Sequence, residues 1–317
     1  MNTILPLSNQ DSPGAIMFHH FHGSIFNLSP GSISASDLER LLDSINNKNL
    51  ISADRWVDKF LNDSLNYGDV CLSFDDNLKC QYEIALPVLK KRNLKAFWFI
   101  HTAVFDGHSD ILEMYRHFRS EYFPNYKEFF SNFLQSIKYF GLEKKASNAL
   151  NNFIPEREYK TNPYLSNDEK RFRLLRDEVL NREEYIKVME RMIIQVGVSK
   201  EDLNSNLYMT TDNIRELSND GNIIGLHSHN HHTKITSLSN SEKNYEYTKN
   251  YNIIKSIINK NPFAMSHPCN LYDENIIEIL KKLGIIIGFR ANTLGNYNSN
   301  YELPRHNHAN LMKKINL

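Results

Sequence analysis

The sequence predicts an α/β protein: a distorted (β/α) barrel of about seven parallel strands with an inserted helical subdomain. Three observations predict it. Short apolar runs alternate with amphipathic segments, the pattern of parallel strands joined by helices. The alternation stops between about residues 106 and 205, where the chain is charged, aromatic and helical in period. Ten of the 13 histidines fall in four short segments that follow or end apolar runs, where the loops of parallel α/β folds build their sites.

The elements follow in order. GAIMF (14–18) reads as a first strand entering HHFH. In SDLERLLDSINN (36–47), Leu38, Leu41, Leu42 and Ile45 recur at helical spacing behind Ser36 as N-cap. VCLSF (70–74) is a second buried strand ending in Asp75-Asp76-Asn77. QYEIALPVLKKRN reads as an amphipathic helix, in which Pro87 is tolerated only in a first turn. AFWFIH (96–101) is a third strand. Four helical stretches then follow without a strand: ILEMYRHFRSEYF, YKEFFSNFLQSIKYF, DEKRFRLLRDEVL and REEYIKVMERMIIQVG. Their Phe and Tyr residues at i, i+3 and i+4 are expected to form a core. Alternation resumes with the helix TTDNIRELSNDG, stopped at Gly221, and the strand NIIGL (222–226) running into HSHNHH. A long helix SEKNYEYTKNYNIIKSIINKN precedes the strand PFAMSHP (262–268). The helix DENIIEILKKLG, the strand IIIGFRA (285–291) and a last strand YELPR (301–305) complete the count. The expected organisation is a barrel from 1–105 and 206–317, with 106–205 as a helical insertion serving as lid or oligomer interface and shaping substrate choice.

Composition excludes several classes. With 37 Lys+Arg against 37 Asp+Glu, the chain is not a generally basic nucleic-acid binder. No run of 18 apolar residues predicts a membrane span. Three cysteines, Cys71, Cys80 and Cys269, exclude a disulfide scaffold and an all-cysteine zinc site. The opening MNTILPLSNQDSPG lacks the basic and apolar regions of a secretory signal, so the expected location is cytoplasmic. No G-x-S-x-G, G-x-G-x-x-G or P-loop motif occurs.

The chemistry is expected at the C-terminal ends of the strands. That face should gather His19, His20, His22, Asp75, Asp76, His101, His227, His231, His267, Arg305, His306 and His308. Asp75 and Asp76 are adjacent on extended backbone and point to opposite sides, so one can ligate a metal while the other faces a water. His227 and His231, spaced H-x3-H at a strand exit, can converge on one ion. Two histidines and one carboxylate leave open positions for water and substrate, which suits metal-assisted hydrolysis. On a strand His20 and His22 share a face and His19 points away; His20, His22, His101 and His267 are candidate substrate contacts. His229 and His232 read as spectators, and Trp56 and Trp98 as core.

These blocks resemble a family. CLSFDDN looks like the T-F-D-D-G block of the polysaccharide deacetylases (carbohydrate esterase family 4, with the nodulation chitooligosaccharide deacetylases). NDGNIIGLHSHNHH is similar to their G-x-E-I-G-x-H-S/T-x-x-H block, FAMSHPCNLYDENIIEILKKLGI to the third block, and IMFHHFH to the first strand. The resemblance covers about 1–105 and 206–310. It implies Asp75 as catalytic base and Asp76, His227 and His231 as ligands of one divalent ion, zinc first, with nickel, cobalt, iron or manganese as alternatives. It implies hydrolytic deacylation, foremost N-deacetylation, of an N-acylated amino sugar in a glycan or an activated or lipid-linked precursor of surface polysaccharide. The oxyanion would be held by the ion and a backbone N–H after Asp76 or in the third block. The family's general acid is a histidine in an L-x-H block near the C-terminus. Here ELPRHNH offers Arg305 to orient Asp75 and His308 or His306 to donate the proton, with His267 a rival for either role. Two further departures are Asn77 in place of the usual Gly, and Ser266-His267-Pro268 in place of Arg-x-Pro. Alternatives are a non-catalytic glycan-binding or assembly protein on this scaffold, a deformylase or other C–N amide hydrolase of the fold, and a non-haem Fe(II) oxygenase.

Overall fold

The apolar runs form seven parallel strands in a computed structural model of the chain. It describes residues 13–46, 48–108, 110–155, 165–294 and 299–315. Residues 1–12 of the opening segment on which the leader reading rests lie outside the described residues. The strands are β1 (Gly14–Phe18), β2 (Val70–Phe74), β3 (Phe97–Ile100), β4 (Ile223–Leu226), β5 (Ala264–Ser266), β6 (Ile287–Phe289) and β7 (Arg305–Asn307). They lie in the order β6-β5-β4-β3-β2-β1-β7. The chain entering β7 nearly closes the ring: Leu303 bridges Phe289 of β6, and Pro304 O accepts from Ala15 N of β1 at 3.1 Å. The result is the expected distorted (β/α) barrel of seven strands.

Inward positions follow the two-residue period of a strand. Ala15, Cys71, Phe97, Phe99, Ile223, Ala264, Ile287, Phe289 and Leu303 pack as one buried cluster inside the ring. Trp56 and Val57 close that cluster from the helix Ala53–Leu61 (α2), which follows α1 (Ala35–Ser44). Helix α2 was not among the expected elements, although Ala53, Trp56, Val57 and Phe60 stand at helical spacing. Two glycines are there because backbones pass too close for a side chain. A Cβ on Gly225 would lie 2.7 Å from Ala264 O and the Phe99 ring, and one on Gly288 would lie 2.7 Å from Tyr301 backbone. Trp98 is on the outer face, stacked on Phe74 at 4.4 Å, with its indole N–H donated to Asn222 Oδ1.

Several boundaries differ from expectation for local reasons. Helix α1 is capped by Ser34 rather than Ser36: Ser34 Oγ accepts from Asp37 N, and Asp37 reaches back to Ser34 N at 2.9 Å. The segment around Pro87 is a π-turn (Gln81–Ala85) followed by α3 (Leu86–Lys91), so the proline does sit in a first turn. The last strand begins at Arg305 instead of ending there, because Pro304 has no N–H to donate to a ladder.

The chain divides into two compact units, one of residues 1–110 and 208–317 and one of residues 111–207. The second is helical. Its core is aromatic, with Phe129, Phe133 and Phe172 ring centroids 4.9–6.2 Å apart and Tyr185 and Phe118 also buried. Two short helices there, Glu143–Asn151 and Lys200–Ser205, lie outside the four expected stretches.

Candidate metal centre and active site

Strand parity delivers the polar residues. Continuing the inward series Ala15–Met17, Cys71–Ser73, Phe97–Phe99, Ile223–Gly225, Ala264 and Leu303 by two residues gives His19, Asp75, His101, His227, Ser266 and Arg305. Asp76 should point outward. It turns in because its φ is 76°, and Asn77 follows at 58°. Ser228 (57°) and His231 (50°) bend the second loop in the same way. Such left-handed non-glycine residues cost roughly 1–3 kcal/mol each and persist where the surroundings over-determine them.

Asp76, His227 and His231 bring one ligand atom each to within 4.8 Å of the others. The Nε2 atoms of His227 and His231 lie 3.2 and 3.3 Å from Asp76 Oδ1. Their Nδ1 atoms are engaged elsewhere: that of His227 with Ser266 O at 2.9 Å, that of His231 with Asp110 Oδ2 at 3.0 Å. A carbonyl and a carboxylate only accept, so each Nδ1 carries a proton, which leaves Nε2 as the atom each ring turns inward. Asp76 Oδ1 is buried and has no hydrogen-bond donor among the described residues. When both rings are neutral, three acceptor atoms face one another, an arrangement that a cation between them relieves. The donor set fits a divalent metal with open coordination positions.

Asp75 stands beside this cluster, 4.0 Å from His227 Nε2. Arg305, itself fully buried, holds it in a fork: Nη1 donates to Oδ1 and Nη2 to Oδ2, both at 2.7 Å. Ser266 Oγ donates to Oδ2 at 3.2 Å. Arg305 is fixed in turn through Nε to Arg290 O (2.8 Å) and Nη2 to Ser266 Oγ (2.6 Å). Burial pushes the Asp75 carboxyl up, but Arg305, then His227 and His19, outweigh it and hold it below the usual carboxylate range. For Asp76, burial is likewise outweighed by His19, His231 and His227, and the carboxyl lies well below that range.

The other histidines separate into two groups. His19 Nε2 lies 3.8 Å from Asp76 Oδ2 with a partly exposed side chain. Its carbonyl and that of Asp75 both accept from the Gln81 amide, at 2.7 and 2.6 Å. The sequence had pointed to His20 and His22; parity puts His19 inward instead. His22 Nδ1 meets Ser32 Oγ at 3.0 Å, and His20 stacks on His19 at 6.2 Å. His101 is buried with its ring centroid 5.7 Å from that of His231, and burial, then His231, lowers it to about 4.

The remaining candidates are engaged elsewhere. His308 is wedged between backbone carbonyls, Nδ1 to Met17 O and Nε2 to Gly31 O, both at 3.1 Å, and lies flat on Phe18. Burial pushes it down to about 4. His306 alternates with inward Arg305 on β7 and faces the other side of the sheet, paired in register with Ile16. The geometry therefore brings neither of the proton donors expected from ELPRHNH to Asp75. His267 donates Nε2–H to Tyr301 O at 2.8 Å and stacks on Tyr272 at 4.1 Å. His229 meets Thr102 Oγ1 at 2.9 Å, and His232 lies 3.4 Å from Glu246. Both anchor the loop.

Sequence reasoning missed four supporting residues. Asp110 orients His231, and Ser266 connects Arg305, Asp75 and His227. The helix Asn240–Ile258 turns two buried polar residues toward the metal-site loop. Asn250 Oδ1 accepts from His227 N at 3.0 Å, and Glu246 accepts from Asn230 N and its amide at 2.7 and 2.6 Å. Glu246 and Asn250, in helical register with Tyr247 and Ile254 on one side of NYEYTKNYNII, were the available signal.

Residues 193–287 match the family model for polysaccharide deacetylase, a span that includes the GLHSHNHH block. No curated protein matches the chain. Solved structures with this fold include a de-N-acetylase from Aggregatibacter actinomycetemcomitans, 16% identical with a TM-score of 0.55 over 96% of this chain and 99% of that one. A second is the Streptococcus pyogenes deacetylase PplD in complex with acetate, 15% identical with a TM-score of 0.52 over 95% and 97%. A third is the BpsB deacetylase domain from Bordetella bronchiseptica, 12% identical with a TM-score of 0.50 over 94% and 96%. The polysaccharide deacetylase resemblance read from the sequence is thus shown in the matched segment, and the fold is shared across nearly the whole chain.

Proposed function

We propose that this protein is a metal-dependent hydrolase that removes an acyl group, foremost acetyl, from the nitrogen of an amino sugar in a glycan or glycan precursor. The observation that carries the reading is the meeting of three lone-pair donors, Asp76 Oδ1 and the Nε2 atoms of His227 and His231, beside a carboxylate locked by Arg305. A divalent ion held by that triad supplies Lewis-acid polarisation of the acyl carbonyl.

The chain's own groups account for the protons. Asp75 has about four acceptor positions; Arg305 occupies two and Ser266 a third, which leaves one for an attacking water. Asp75 takes a proton from that water as its oxygen bonds to the acyl carbon. As the C–N bond breaks, the leaving nitrogen requires a proton. We assign that proton to His19: unlike buried His101, it is an imidazole beside the cluster that is partly open to solvent and is not one of the three donors. Arg305 and Ser266 position the base.

The test is metal content together with acetate and formate release from a panel of N-acylated glycans and sugar nucleotides. Asp75→Asn is expected to abolish release and keep the metal; His227→Ala is expected to lose both. His19→Ala is expected to keep the metal and lower kcat by about 10²–10⁴-fold. Undiminished release in Asp75→Asn would overturn the assignment of the base.

A further inference from the structure

A second concave site lies at the other end of the barrel, among the segments that lead into the strands. A cavity of about 630 Å3 is bounded by residues from 48–55, by Lys59 and Asn66, and by Asn93 and Lys95 just before β3. Ile51 N donates to Val70 O at 2.9 Å, which fixes this wall at the start of β2, whereas the candidate metal centre lies beyond the strand's end. The volume is in the range of small-molecule sites, about 300–1,000 Å3.

Its charge is one-sided. Lys48, Arg55, Lys59 and Lys95 line it, against the single carboxylate of Asp54. Lys59 is already paired with Asp69. Lys48, Arg55 and Lys95 have no ion pair among the described residues. Neighbouring cations do find partners: Lys90 pairs with Glu216 and Asp220, Lys91 with Glu39, Arg92 with Asp43. Lys48 and Arg55 are exposed and Lys95 half-buried, so the three cations line one open cavity and favour an anion within it. The start of α2 faces the same space through Ser52, Asp54 and Arg55. Ser52 makes no side-chain cap to α2; its Oγ accepts from Lys95 N at 2.8 Å. The positive end of the helix adds to the cations.

We propose that this cavity binds a small phosphate-bearing ligand, with Arg55, Lys95 and Lys48 meeting the phosphate oxygens. A monoanionic carboxylate would leave at least one of the three cations unanswered, whereas a phosphate monoester or diphosphate matches them. The apolar wall of Leu50 and Ile51 and the amides of Asn66 and Asn93 suit the non-phosphate body of such a ligand. The site is independent of the deacylation reading and of its metal.

Calorimetric titration of the full chain with pyrophosphate, and with a nucleoside diphosphate as the larger probe, tests it. Since a metal centre can also take a phosphate, each titration is repeated with Asp76→Ala. The expected result is one saturable site whose affinity stays within about twofold in Asp76→Ala and falls at least about tenfold in Arg55→Ala/Lys95→Ala. Lys95→Arg is expected to bind like wild type. Should the double variant fold poorly, Lys48→Ala and Arg55→Ala singly are each expected to weaken binding. Binding lost in Asp76→Ala, binding unchanged when the cations are removed, or no saturable binding of either probe would overturn the proposal.

Discussion

The placement of single protons decides what the site can hold. His227 and His231 present lone pairs to Asp76 only because their Nδ1 protons are committed to Ser266 O and Asp110. Asp110→Asn replaces a charged acceptor by an amide that can also turn its NH2 toward the ring. Metal affinity is expected to fall about 10–100-fold, measured by competition with a chelator, while the fold is kept. A variant with wild-type affinity would show that Asp110 does not set the tautomer. His267 shows the opposite use of an imidazole. Burial pushes it down to about 4, its Nε2–H is given to Tyr301 O, and its buried Nδ1 has no partner among the described residues. The unfolded chain takes up a proton near pH 6.5 and the folded chain resists until about 4, so this stability is present above 6.5 and is lost as pH falls through that window. The loss reaches about 3 kcal/mol at most. Urea titrations between pH 7 and 4 should show a correspondingly shallower pH dependence in His267→Phe than in wild type. At this scale the sequence was legible where a residue's role depends on its own neighbours in the chain, as with Asp75-Asp76 and the H-x3-H pair. Asp110 and Ser266 were not, because their roles come from contacts across 121 and 191 residues.

At the scale of elements, what positions the site is the two-residue period of each strand, and the sequence reading used it only in part. The strands themselves were legible as apolar runs. Which face of each strand is inward was not, since five consecutive buried residues, as in GAIMF and VCLSF, carry no alternation. That is why His20 and His22 were expected where His19 stands; His306 and His308 were expected beside Asp75 from the resemblance of ELPRHNH to the L-x-H block. The helix Asn240–Ile258 carried a weaker signal, because its buried side includes Lys243, Glu246 and Asn250 rather than an apolar stripe. Strand β4 offers the direct test of close packing. Gly225 lies between Ala264 O and the Phe99 ring, where a Cβ would come within 2.7 Å of both, and one of those contacts is rigid backbone. Gly225→Ala is expected to cost about 1–3 kcal/mol through displacement of β4 against β5, read as a lowered Tm. Because His227 is two residues further on, metal affinity should fall with it. An unchanged Tm would mean that the barrel wall yields more readily than close packing implies.

The whole molecule was legible as alternation interrupted once, because a switch from strand-helix periods to helical periods alone survives in any single sequence. The interruption raises the question of what the barrel needs in order to fold. The barrel unit has its own core of Ala15, Cys71, Phe97, Phe99, Phe289 and their neighbours, closed by Trp56 from α2, and none of these residues comes from 111–207. Its two open ends are near each other: Tyr208 OH donates to Asp110 O at 3.5 Å. A tyrosine side chain and a few residues of extended chain span similar distances, so a linker of about four to six Gly and Ser residues can join position 110 to 208. All three candidate metal donors, Asp75, Arg305, His19 and Asp110 remain in that shortened chain. It is expected to fold cooperatively and to bind one equivalent of metal with affinity near that of the intact chain, measured by circular dichroism and metal titration. We further expect it to release acyl groups from a different range of substrates and to elute as a smaller oligomer, if the helical insertion is a lid or a subunit interface. Unchanged specificity and unchanged oligomeric state in a folded, metal-binding remnant would rule out both roles for the insertion. Failure of the remnant to fold would instead show that the barrel core is not self-sufficient, and that the aromatic helices stabilise the strands they interrupt.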